Sequence, residues 1–85
     1  MHKPLTNLKR REYAEIVSFE CGQMLCNRLE GMGIRLGKII TRINAPFMSG
    51  KVIVLINGHQ VALGRGMAEK ILVKPMEADE TGKSL

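Results

Sequence analysis

Eighty-five residues, 45% of them hydrophobic and with a net charge of +5, make one small domain and leave no room for a second core. Aromatics are reduced to Tyr13, Phe19 and Phe47 with no Trp, so the core must rest on Ile, Val, Leu and Met. No apolar run approaches the roughly 20 residues of a membrane span, and no apolar segment follows the basic residues of the opening MHKPLTNLKRREY, so neither a spanning helix nor a secretory signal is expected.

Residues 1–12 read as a loose lead, in which Leu5 and Leu8, three apart, can pin the chain to the core by a single turn. Tyr13–Glu20 alternates and predicts a first strand, with Tyr13, Val17 and Phe19 as its core side. Cys21-Gly22 breaks it. Gln23–Glu30 predicts a short helix, because Leu25, Leu29 and Met32 recur at i, i+4 and i+7 on one face. Gly31 or Gly33 supplies the positive φ that stops it.

Lys38–Asn44 predicts strand two, and Ala45–Gly50 a loop marked by Pro46 and Gly50. Lys51–Ile56 predicts strand three. Its VIVLI run is apolar on both faces, so the face turned from the core needs cover from the helix, a loop or a partner. Asn57-Gly58 is the strongest local signal, since this pair suits the two positive φ angles of a type I′ hairpin turn. His59–Leu63 is strand four. Gly64-Arg65-Gly66 leads into one helical turn at Met67–Glu69, and Ile71–Lys74 is strand five, ended by Pro75. Residues 77–85 are polar, have no period and read as a disordered tail. The pattern predicts an all-β fold with a short helical insertion: a small five-stranded SH3-like barrel over residues 1–76.

Charge divides unevenly. Residues 1–76 carry twelve Lys/Arg against five Asp/Glu, and residues 77–85 one against three. A basic body suits phosphates, an anionic leaflet or an acidic protein surface, but the charges are spread and only Lys9-Arg10-Arg11 forms a run. Nucleic-acid binding by a small barrel needs stacking aromatics beside the basic groups, and Phe47 alone is free for that. There is no GxxxxGK[ST] for a nucleotide phosphate and no set of Ser, His and acid or paired carboxylates, so no enzyme is expected. Cys21 and Cys26 lack the CxxC spacing of a zinc site, and His2 and His59 fall in the lead and at a strand end. Free thiols, no bound metal and no cofactor are the reading.

Protein binding fits best. The apolar positions exceed what one small interior can take, and six methionines supply adaptable contacts. The candidate partner-binding residues are Met24, Arg28, Leu29 and Met32 around the helix, with Phe47 and Met48 in the loop. Leu29 is expected at the seam between helix and barrel, and Arg28, one step round, in water.

Four pieces in this order resemble the FeoA family of ferrous iron transport proteins: Leu5–Lys9, Arg28 to Gly37, Ala45 to Gly50, and Gly58 to Ile71 with its VALGRG core. They also resemble the SH3-like domain at the end of metal-dependent repressors. The chain departs from the family at Arg10-Arg11, where Pro-Gly is frequent, and at Leu36 and Lys51, where Pro is frequent. The resemblance implies a small cytoplasmic accessory of ferrous iron uptake. Its implied partner is the cytosolic GTPase region of the membrane transporter FeoB, through which it would reach the inner face of the membrane. The alternative is a free-standing metal-ion-binding or sensing domain, and weak self-association stays open.

Overall fold

The computed structural model describes residues 2–44 and 50–76. The expected loop residues 45–49 and the expected tail 77–85 lie outside them. The Asn57-Gly58 turn forms as the sequence predicts, with φ of 53° and 81°. It joins β4 (Lys51–Ile56) to β5 (His59–Gly64), which pair antiparallel from Ile56–His59 back to Lys51–Gly64. β2 (Tyr13–Phe19), β3 (Ile39–Arg42) and β6 (Ile71–Met76) complete the main sheet.

Among the described residues a sixth, two-residue strand joins the five expected. Lys3 and Pro4 form a short β1 against Val73 and Leu72 of β6, so the lead is not loose. A single 3₁₀ turn at Leu5–Asn7 follows, and it buries Leu5 and Leu8 as expected of their spacing. The hydrogen-bonded order is β1-β6-β2-β3-β4-β5, with every pairing antiparallel. This ladder is open. The closing turn α2 (Arg65–Ala68) packs on β4, β5 and the 3₁₀ turn, so side-chain packing rather than backbone pairing completes the barrel-like SH3 fold.

The core is aliphatic: Leu5, Leu8, Ala14, Ile16, Leu29, Ile34, Ile40, Val52, Val54, Ile56, Leu63, Ala68, Ile71 and Val73 are all buried. Two sequence expectations are corrected here. First, β2 turns Ala14 and Ile16 inward, not Tyr13. A bulge between Ile16 and Ser18 then shifts the register, which lets Phe19 pack against the core although it shares Tyr13's parity. Second, Pro75 does not end β6, which runs on to Met76. β1 covers only Leu72 and Val73, so at Pro75 the missing N–H deprives no second neighbour of a ladder bond.

Candidate partner-binding surface

The helix α1 (Gln23–Gly31) owes its position to what happens at its two ends. At the exit, Met32 is the C-cap and Gly33 follows with φ of 88°. The Gly33 N–H bonds the Glu30 carbonyl at 3.0 Å, and the Ile34 N–H bonds the Leu29 carbonyl at 2.9 Å. These paired bonds are a Schellman motif, and its usual apolar contact is available because Leu29 and Ile34 are both buried in one cluster. Of the two glycines that could stop the helix, Gly33 does so. At the entrance, Gly22 is an extended N-cap with no side chain to offer, and the Cys26 N–H closes the first turn on the Gly22 carbonyl at 3.0 Å.

This anchoring fixes which side chains face outward. Leu29 is fully buried and Leu25 half-buried. Met24, on the opposite side, is 87% exposed. Arg28 is exposed one turn later, and Met32, one turn later again, is 39% exposed. Steps of four along a helix drift by about 40° each, so these three exposed residues follow one another along a stripe that slants round the helix by about 80° toward the Leu25 side. A shallow groove lined by Met24, Leu25, Asn27 and Arg28 runs beside it. Met32 was expected on the Leu25–Leu29 face. It stands at the C-cap, where the helix ends, and is left partly exposed there.

Of the six expected partner-binding residues, Met24, Arg28 and Met32 are exposed, and Met24 and Arg28 line one groove. Leu29 is fully buried in the core and meets no partner itself. Phe47 and Met48 lie outside the described residues.

Sequence reasoning missed a second concavity. The outer face of the sheet carries a hollow of about 520 Å³ lined by Tyr13, Gly37, Lys38, Ile39, Thr41, Leu55, Asn57 and Gly58. Tyr13, Thr41 and Leu55 are direct cross-strand neighbours on β2, β3 and β4. The outward half of the VIVLI run is therefore only partly covered: Ile53 is half-buried and Leu55 is 39% exposed. The alternation of β4 carried this signal, but assigning Tyr13 to the core hid the other wall.

Arg42 was also missed. It occupies an inward position of β3 and is 1% exposed. Its Nη1 donates to the Thr6 and Leu8 carbonyls at 3.0 and 3.3 Å, and its Nε donates to Asn44 Oδ1 at 3.0 Å. Burial and the neighbouring Arg65 charge lower its pKa from the usual guanidinium value.

Among the described residues, no three His, Cys, Asp or Glu side chains come together to hold a metal ion. No helix among them is long and apolar enough to cross a membrane. His59 is exposed at the start of β5, and His2 is exposed in the lead.

A family model for the FeoA domain matches residues 3–75. The chain belongs to the FeoA family. A Methanocaldococcus jannaschii protein that bears the provisional name Fe(2+) transport protein A is 35% identical over 77 residues, covering 87% of this chain and 88% of the relative. The crystal structure of an iron uptake regulatory protein, FeoA, superposes with a TM-score of 0.82 at 24% identity, over 89% of this chain and all of that one. A manganese-dependent transcriptional repressor shares the fold over 88% of this chain and 42% of its own, with a TM-score of 0.79 and 17% identity. The family ties the chain to ferrous iron transport, and the repressor likeness is one of fold.

Proposed function

We propose that this FeoA-family chain is a small cytoplasmic accessory of ferrous iron uptake that binds the cytosolic GTPase region of FeoB and modulates it. The observation that carries the reading is the outward stripe of Met24, Arg28 and Met32 on a helix fixed at both ends. Two thioethers give contacts that adjust to a partner's shape. The Arg28 guanidinium between them reads an acidic group by paired hydrogen bonds. Phe47 and Met48 are further proposed partner contacts, and residues 1–76 are the proposed binding unit. Recruitment to the inner face of the membrane follows from the partner, not from a spanning helix of this chain's own. No chemical step is assigned to it, in keeping with a family of small accessory proteins.

Calorimetric titration of the purified chain with the cytosolic region of FeoB tests the reading. A saturable complex that weakens as salt rises is expected, since an Arg-centred contact is screened. Absence of heat and of co-elution, together with stoichiometric metal uptake by the chain alone, would replace the accessory with a metal-binding domain.

A further inference from the structure

The entrance of α1 holds two thiols where most helices of this kind hold two apolar side chains. Gly22 is the N-cap, so Cys21 stands at the position before the cap and Cys26 at the fourth helical position. These are the two positions whose side chains meet as a hydrophobic staple. The contact is present here. The Cys26 Sγ–H donates to the Cys21 carbonyl oxygen at 3.4 Å. Both cysteines are free and half-buried, and Cys21 packs against the edge of the core.

We propose that Cys21 and Cys26 are a dithiol modification site that closes reversibly to a disulfide across the entrance of α1. The proposal stands apart from the transporter reading. The placement of the two residues either side of the N-cap, with Cys26 Sγ 3.4 Å from the Cys21 carbonyl, puts both side chains at one helix entrance, and closure is by rotation of those side chains. The oxidant is a small-molecule disulfide of the oxidised glutathione class. One thiolate attacks it, forming a mixed disulfide and releasing one small thiol. The second thiolate then attacks the protein sulfur of that mixed disulfide. The Cys21–Cys26 bond forms and the second small thiol leaves. Two electrons pass to the oxidant, whose two sulfurs depart with the two thiol protons.

The thiols' mutual interaction and burial push the Cys21 pKa up to about 11, against a lowering by the Lys70 ammonium. Cys21 is therefore protonated at neutral pH, and closure accelerates with base.

The test is incubation of the folded full-length chain with oxidised glutathione, followed by intact mass and peptide mapping. The expected product is a monomer lighter by the two thiol hydrogens, with Cys21 linked to Cys26, restored by dithiothreitol. Cys21→Ser and Cys26→Ser should each retain one glutathione instead, since no second thiol is present to expel it. Two adducts on the unmutated chain, disulfide-linked dimers, or no reaction except after unfolding would each overturn the proposal.

Discussion

Arg42 Nε donates a 3.0 Å hydrogen bond to Oδ1 of Asn44, two residues further along the same chain. That oxygen also accepts the Ile53 N–H at 3.0 Å, while Asn44 Nδ2 donates to the Lys51 carbonyl at 2.8 Å. On its other side Arg42 binds the carbonyls of Thr6 and Leu8. A buried guanidinium thus joins the N-terminal turn, through Asn44, to the start of β4. Asn44→Ala removes one acceptor from a buried cation and from a backbone N–H at once. We expect a loss of about 1–3 kcal/mol, read as a lower urea midpoint at unchanged slope. Asn44→Asp keeps an acceptor facing Arg42 and should lose less. Equal midpoints for the native and Ala chains would break this link.

Arg11 sits at φ 71°, a left-handed conformation that favours glycine. The Glu12 N–H bonds the Lys9 carbonyl at 3.0 Å, so Arg10 and Arg11 are the centre of a tight turn with positive φ at its third position. Arg11→Gly relieves about 1–2 kcal/mol of strain and returns part of it as unfolded-state entropy. A net gain of about 0.5–1 kcal/mol, or several degrees in Tm, is expected from calorimetry. A lower Tm would mean that the Arg11 side chain contributes more than its backbone costs.

Leu29 is fully buried and belongs to the Schellman contact with Ile34. Leu29→Ala should cost about 2–5 kcal/mol. For 85 residues total stability is on the order of 4–13 kcal/mol, so much of the chain would unfold at 37 °C. Circular dichroism melts measure this directly. A change below one degree would place Leu29 outside the core.

The thiol contact predicts an alkaline limit. Cys21 holds its proton up to about pH 11 in the folded chain, against an ordinary thiol value of 9.0. Between those values the unfolded chain binds fewer protons than the folded one, so stability falls as pH rises through that window. Cys21→Ser should flatten this part of a chemical-denaturation profile taken under reducing conditions. An unchanged slope would remove Cys21 from it.

Much of the fold was legible because its signals are local. Asn57-Gly58 dictates its own turn, and Leu25 and Leu29 dictate which side of α1 goes in. What was not legible depends on partners distant in the chain. β1 exists only because Val73 and Leu72 stand opposite Lys3 and Pro4. The bulge at Ile16–Ser18 arises from pairing with β6, and it lets Phe19 pack against the core with Ala14 and Ile16 while Tyr13, of the same parity, faces out. An arginine in a strand reads as a solvent-facing charge, so the burial of Arg42 could not be seen without the carbonyls of Thr6 and Leu8. For the surface, helical spacing gave Met24 and Arg28, whereas Met32 stands at the C-cap, where spacing alone does not say how much of it is covered.

The central claim is that the outer face of α1 meets FeoB, and Arg28→Glu tests it most directly. Arg28 is exposed and contributes little to the core, so the melting curve should stay within about 0.5 kcal/mol of the native one. Binding to the cytosolic region of FeoB, measured by titration at two salt concentrations, should weaken by about tenfold or more at low salt, with a smaller salt dependence. Unchanged affinity and unchanged salt dependence in a folded Arg28→Glu chain would contradict the account.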